Sequence, residues 1–440
     1  RLLAGAVLPP VGTGDDRFID AIEAALLGMD DSYVAAQGPP GTGKTHVGGH
    51  VIARLVERGW RVGVCAQSHA AVENMLSAVV RAGADPEQVG KVAKSTQGPA
   101  WTSLFKADDL AAFAGQHEQA GRGYVIGGSA WDLTNDKRVA RGQLDLLVID
   151  EAGQFSLAKT LAVSVAASRL LLLGDPQQLP QVSIGVHAQP VDESALGWLA
   201  DGSPVLPDHL GYFLETTRRM HPALTAVVSD LAYAGELSSH ESVTAARHLE
   251  GIEPGLHVRL VDHLDNSTES AEEAAAVLDL VNGLVGREWH DPSVRDEEGH
   301  PAPSRPLAPA DIIVITPYNR QAERIRLVLM RAGLDTVRVG TVDKFQGQEA
   351  AVAILSMAAS SHSDVSRGMG FLLDRHRLNV GISRGQFAAY VVRARVLTDF
   401  APRTRSELIT LGAFLRMSEN AQSSADFDQS GALVEHFEVR

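Results

Sequence analysis

Apolar positions in this chain come in short blocks rather than in strict alternation. The runs at 33–36, 61–67, 124–127, 144–149, 170–173 and 311–315 are almost wholly apolar. Between them lie stretches of helical period, clearest at 17–27, at 46–57 and in the helix opened by 68–74. Near-continuous apolar runs suit strands covered on both faces, and strands alternating with helices are joined in parallel through crossovers. The expected class is therefore α/β with mainly parallel sheets. Three stretches escape the pattern. Residues 90–123 are polar and glycine-rich, with no period long enough for a separate domain. Residues 264–309 are acidic and rich in serine and proline, with one helical patch at 272–285 and a flexible surface loop expected from 291 on. Residues 418–429 read as a loosely ordered tail.

Composition narrows the classes. At 440 residues the chain has material for two or three domains of about 150 residues each. No stretch approaches the roughly 20 apolar residues of a membrane span, and no basic-then-apolar leader opens the chain, so the expectation is a cytoplasmic protein with no membrane partner. It starts at Arg1 rather than at methionine, which reads as a piece of a longer polypeptide. The single cysteine, Cys65, reads as a buried strand residue. It excludes an internal disulfide, a four-cysteine zinc site and a four-cysteine iron–sulfur cluster. Sixteen histidines show no ligand spacing, so the metal to expect is the one that arrives with a nucleotide. A net charge of −15 argues against coating nucleic acid by overall attraction, while leaving room for a local basic groove. At 5% aromatic residues, no base-stacking wedge stands out.

The chemistry concentrates at strand ends. After the first apolar run comes Gln37-Gly38-Pro39-Pro40-Gly41-Thr42-Gly43-Lys44-Thr45, a full phosphate-binding loop between a strand and a helix. Gly38, Gly41 and Gly43 permit conformations that β-carbons block, so that the loop, with Pro39 and Thr42 in its path, can turn the N–H groups of its non-proline residues onto the phosphates. Lys44 would reach the β- and γ-phosphates, Thr45 would hold Mg²⁺, and the helix offers its positive end. The run at 144–149 ends in Asp150-Glu151-Ala152-Gly153-Gln154. There the first carboxylate suits Mg²⁺ and the second suits orienting and deprotonating water. The run at 170–173 enters Gly174-Asp175-Pro176-Gln177-Gln178-Leu179-Pro180, which makes Gln178 a candidate γ-phosphate sensor. Ligands of such sheets bind at the carboxyl ends of the strands.

GPPGTGKT, DEAGQ and GDPQQLP, in that order, resemble motifs I, II and III of superfamily 1 helicases, in the spelling of the up-frameshift-type branch, superfamily 1B. Thr216-Thr217-Arg218-Arg219-Met220-His221-Pro222 is similar to that branch's QYRMHP segment, and Thr316-Pro317-Tyr318-Asn319-Arg320-Gln321 to its TPYxxQ. Gly340 to Glu349 resembles motif V and Arg377 to Gly385 motif VI. The resemblance spans about residues 33–395. It implies a P-loop NTPase fold of two RecA-like lobes, 1–214 and 215–440, using ATP and Mg²⁺. It implies arginine fingers at Arg219 and Arg384, supplied from the second lobe, and nucleotide contacts from Arg218, Gln346, Gly347 and Glu349. Single-stranded nucleic acid would be held through phosphates by Ser68, His69, Ser129, Thr316, Tyr318 and Thr341, hydroxyl-rich strand ends for which a capping or turn role is the competing reading. Travel from 5′ to 3′ comes from the family alone.

The sequence departs from the pattern in places. Arg218 stands where a tyrosine stacks on the adenine, His69 where an asparagine is usual, and Gly381 and Gly385 where alanine is usual; no glutamine motif precedes the loop. The chain also resembles bacterial chains in which such a helicase follows a RecB-like nuclease, and that resemblance implies a nuclease upstream as partner domain and favours DNA over RNA as the track. Other readings stay open: an ATP-switched clamp that grips nucleic acid or a protein without unwinding, an RNA helicase without robust DNA unwinding, and a P-loop NTPase acting on a small molecule or protein.

Overall fold

The computed structural model describes residues 7–92, 101–180, 187–296, 299–345 and 347–419, together with the backbone of 422–423, 426–427 and 433–434. The chain divides into two compact units, Arg1–Glu215 and Thr216–Arg440.

The first unit is built on one eight-stranded, wholly parallel sheet. Its strands are β1 (Ser32–Gln37), β2 (Arg61–Cys65), β3 (Val89–Val92), β4 (Thr102–Leu104), β5 (Tyr124–Gly128), β6 (Leu146–Ile149), β7 (Arg169–Gly174) and β8 (Gly211–Phe213), in the order β4-β3-β5-β2-β6-β7-β1-β8. Both faces are covered, which is why the strands read as apolar runs. Val34, Ala36, Leu146, Val148, Leu171 and Leu173 enter one core, while Ala35, Leu147, Ile149 and Leu172 enter the other. The first core is closed by α1 (Arg17–Leu27), α2 (Lys44–Glu57) and α3 (His69–Arg81). Ile19, Ile22 and Leu26 of α1 are fully enclosed there, each contributing about 1.5–3 kcal/mol of burial. Glu23 ties α1 to α2 by accepting from Arg54 and Arg58. The polar stretch at 90–123 holds two strands and a helix, Ala107–Gln119, that the sequence pattern did not announce. Strands of three and four residues at a sheet edge are too short to show a period.

The second unit carries a six-stranded parallel sheet. Its strands are β9 (Gly255–Val261), β10 (Ile312–Thr316), β11 (Arg338–Thr341), β12 (Ala350–Ser356), β13 (Gly385–Ala394) and β14 (Gln422–Ser423), in the order β11-β10-β12-β13-β9-β14. Around it lie α4 (Pro222–Ala232), α5 (Ala271–Leu284), α6 (Asn319–Arg331) and α7 (Arg375–Ile382). Residues 264–309 contain α5, and the strands Glu288–His290 and Arg305–Pro306 add to His248–Leu249 as a small antiparallel sheet. Both sheets are α/β layers of the P-loop, RecA-like kind.

One buried carboxylate organises the second unit. Glu273, at the start of α5, has no solvent exposure. It accepts from Ser356 Oγ at 2.6 Å and Ala358 N at 2.9 Å at the end of β12, and it meets His263 Nε2 at 3.1 Å. Gln321 of α6 donates to the same Ser356 hydroxyl at 2.9 Å and accepts from Ser270 N at 2.7 Å. The loops after β10 and β12 are thus fixed to each other through side chains. Truncating one member of a buried charge network leaves the others unsatisfied, so Glu273→Ala is expected to cost about 3 kcal/mol in urea unfolding followed by circular dichroism. A loss below about 1 kcal/mol would show that the network does not hold these loops.

Candidate active site

Three backbones meet at the carboxyl edge of the first sheet. Gly38 N, the first step beyond β1, donates to Gly174 O at the end of β7 (2.8 Å). Ala152 N donates to Leu173 O (2.8 Å), and Asp150 N to Cys65 O of β2 (2.8 Å). The contacts are too close for side chains. A β-carbon on Gly153 would lie 2.3 Å from the carbonyl oxygen of Asp175, and one on Gly174 would lie 2.5 Å from Gly153 N. The glycines of DEAGQ and GDPQQ are therefore required by each other.

The phosphate-binding loop runs through left-handed conformations at Gly41 (φ 78°) and Gly43 (φ 83°) before α2 begins at Lys44. Thr42 Oγ1 donates to Pro39 O at 2.9 Å, closing the turn. The Lys44 ammonium bonds the carbonyls of Gly38 and Pro39, so it lies inside its own loop. Thr45 follows in the first turn of α2, half-buried.

Both acids feel that ammonium. Asp150 is buried, and its carboxyl is pushed up to about 6 by loss of solvent, against the bond from Glu151 N (2.9 Å) and the attraction of Lys44. Glu151 is also raised, by burial first and by the Asp150 charge second, with Lys44 again opposing. Glu151 holds φ 56°, a conformation that costs a non-glycine residue on the order of 1 kcal/mol and recurs at functional sites. Next to it, Asp175 is a hub that the sequence did not reveal. Its carboxylate accepts from Gln178 Nε2 (3.0 Å), Gln177 N (3.1 Å) and Gln37 Nε2 (3.4 Å), while Gln37, fully buried, also accepts from Leu206 N (2.7 Å). Gln178 is therefore oriented by Asp175. Lys44, Asp150 and Glu151 form one electrostatic cluster, with Thr45 in the first turn of α2 and Gln178 on the turn after β7.

In the second unit, Arg219 and Arg384 converge on Phe345, Gln348 and Glu349. Arg219 Nε pairs with Glu349 Oε2 at 2.6 Å, and an Arg219 guanidinium nitrogen donates to Ser383 O at 3.3 Å. Arg384 is only 1% exposed. It donates to Val380 O (2.9 Å), Phe345 O (3.3 Å) and Gln348 O (3.0 Å). Burial acts against the Glu349 charge, yet Arg219 and Gln386 (2.9 Å) hold its carboxyl below the usual range. Buried Arg247, paired with Asp291 at 3.0 Å, bonds the backbone carbonyl of Arg219 and fixes it, a role that nothing in the sequence around it announced. Gly347 is exposed with φ 78°, Arg218 is exposed, and Gln346 lies outside the described residues.

The nucleic-acid candidates divide by unit. Ser68 caps α3, accepting from Ala71 N at 3.1 Å, and His69 is exposed beside it. Ser129 caps the next short helix and donates to Asp132 at 2.6 Å. In the second unit Thr316 and Tyr318 are buried and Thr341 is half-buried. The Thr316 hydroxyl has no protein partner among the described residues, and it lines a small cavity with Ser356 and Arg377.

The raised Asp150 carboxyl has a consequence for stability. A carboxyl whose folded-state pKa stands above its unfolded value costs the fold stability once it ionises. That cost is absent below the ordinary value of 3.8 and complete above about 6. In metal-free, nucleotide-free protein, Asp150→Asn is thus expected to stabilise by on the order of 2 kcal/mol at pH 7.5. The gain should shrink as pH falls to 4.5. Thermal unfolding of both proteins at the two pH values checks this; a gain that does not depend on pH would remove burial of the charge as its cause.

Comparison with known proteins adds identity to geometry. AAA domain families match residues 20–195 and residues 202–395. The chain is 26% identical to the DNA-binding protein SMUBP-2 of Rattus norvegicus over 83% of its length and 41% of that protein. It is 24% identical to the DNA replication ATP-dependent helicase/nuclease JHS1 of Arabidopsis thaliana over 80% of its length and 26% of that protein. It is 29% identical to the human RNA helicase Mov10l1 over 55% of its length and 22% of that protein. The chain thus spans less than half the length of each of these three. The two AAA-domain matches and these relatives, with helicase motifs running through both units, support a superfamily 1 helicase.

Proposed function

We propose that the chain is the ATP-hydrolysing motor of a superfamily 1B helicase, which translocates on single-stranded nucleic acid, DNA in preference to RNA, from 5′ to 3′ and separates strands. The observation that carries this reading is the cluster of Lys44, Asp150 and Glu151 at the edge of one parallel sheet, where a lysine, a buried acid, a half-buried one and a glycine-lined loop answer the needs of phosphoryl transfer. The Thr45 hydroxyl and the Asp150 carboxylate are hard oxygen donors and fit Mg²⁺, which when bound neutralises charge on the β- and γ-phosphates.

The chain's own residues carry the remaining steps. Lys44 exchanges its loop carbonyls for phosphate oxygens. Glu151, with a carboxyl already raised by burial, takes the proton of the attacking water, and Gln178 holds that water from a position set by Asp175. Arg219 and Arg384 supply positive charge to the transferred group, and arginine suits this because its planar fork stays charged and pairs two oxygens. Arg218 stacks on the base. Ser68, His69, Ser129, Thr316, Tyr318 and Thr341 contact the track through its phosphates. A nuclease as a partner of this motor is in keeping with the likeness to the helicase/nuclease JHS1.

Hydrolysis measured without polymer, with single-stranded DNA and with single-stranded RNA tests the proposal. We expect strong stimulation by DNA, loss of activity in Lys44→Ala, and a fall of about 10³ in kcat in Arg219→Ala. Stimulation by RNA alone would exchange the track. No stimulation by either polymer, with Lys44-dependent hydrolysis intact, would sink the motor and favour a small-molecule or protein substrate.

A further inference from the structure

We propose that Trp131 is a stacking platform for an unpaired nucleobase, so that the first unit reads its track through a base as well as through phosphates. This rests on the single-strand reading above. Trp131 is 85% exposed, the most exposed aromatic side chain among the described residues. It is not on a frayed loop. It sits in the first turn of the short helix Ala130–Leu133, directly beyond β5, where Ser129 and Asp132 cap each other and Arg138 binds Asp132 at 2.6 Å. The indole is therefore carried on a rigid mount, and the carboxylate beside it has its charge offset by an arginine.

Its neighbours suit a polyanion. β5 pairs with β2 in register up to Gly128 against Cys65, so Trp131 and the Gln67-Ser68-His69 turn leave the sheet side by side at its carboxyl edge. That turn offers the exposed Ser68 and His69 at the positive end of α3. Lys159 Nζ bonds Gln67 at 3.3 Å and brings an ammonium to the same edge. A single strand is the occupant that answers both features, with phosphates toward the helix end and Lys159 and a flat base on the indole. Stacking of this kind tolerates any sequence because every base has a π-face.

Anisotropy titration of the 440-residue chain compares a labelled oligothymidylate, an oligouridylate and an abasic oligomer of the same length. Trp131→Ala is expected to bind the oligothymidylate and oligouridylate about 5- to 100-fold more weakly than wild type, with Trp131→Phe retaining most of the affinity. On the abasic oligomer wild type and Trp131→Ala should bind alike. Thermal unfolding serves as the control for folding, since so exposed a side chain supports little of the core. Equal affinity of wild type and Trp131→Ala for the base-bearing oligomers would overturn stacking and leave Trp131 as a protein-docking residue. An equal deficit on the abasic oligomer would overturn it too. Wild type binding none of the three oligomers would overturn the single-strand reading itself.

Discussion

The first unit depends on a close approach of bare backbones. The turns after β6 and β7 touch at Gly153 and Gly174, and the phosphate-binding loop hangs from the second of these through the bond of Gly38 N to Gly174 O. Backbone contact sets a tolerance that side chains cannot, because it has no rotamers through which to relax. Consequently the loop, the two acids and the glutamine are positioned against one another before any ligand contributes. Parallel strands make this possible: every strand delivers its following loop to the same edge, so residues far apart in sequence share one site.

That positioning sustains an electrostatic conflict. Asp150 and Glu151 are two acids adjacent in sequence, both short of solvent, one of them in a left-handed conformation, with a single ammonium nearby to offset them. A fold selected for stability alone would replace them with neutral residues. The rest of the sheet, with its two apolar faces, supplies the surplus against which this strain is held. A divalent cation at these acids would relieve their charge, and an anion in the loop would compete with the carbonyls of Gly38 and Pro39 for Lys44.

Sequence alone disclosed the parts of this site whose chemistry demands neighbours in the chain. A phosphate cradle needs consecutive N–H groups and a strand-end acid pair needs adjacent positions, so GPPGTGKT, DEAGQ and GDPQQLP could be read without coordinates. Roles that depend on distant contacts left no trace. Arg247 braces Arg219 across 28 residues, and Glu273, the second of two adjacent glutamates opening a helix, is the one that turns inward to Ser356 and Ala358. Trp131 shows the same limit from the other side. Low aromatic content gave no reason to look for a stacking residue, because exposure is a property of the fold and not of a composition.

The two arginines of the second unit are held in unlike ways, and the difference bears on how each can act. Arg384 donates to the backbone carbonyls of Val380, Phe345 and Gln348, which orient its guanidinium. Arg219 is bonded by a carboxylate, so any anion drawing it away would have to compete with Glu349. Because Arg247 anchors the carbonyl of Arg219, the exchange can be made by the side chain alone, with its backbone still. Releasing Glu349 leaves a carboxylate with Gln386 as its remaining donor at the lip of the same loop, which raises the energy of the released state. Glu349 thus sets how strongly a competing anion would have to attract Arg219 to move it from this partner.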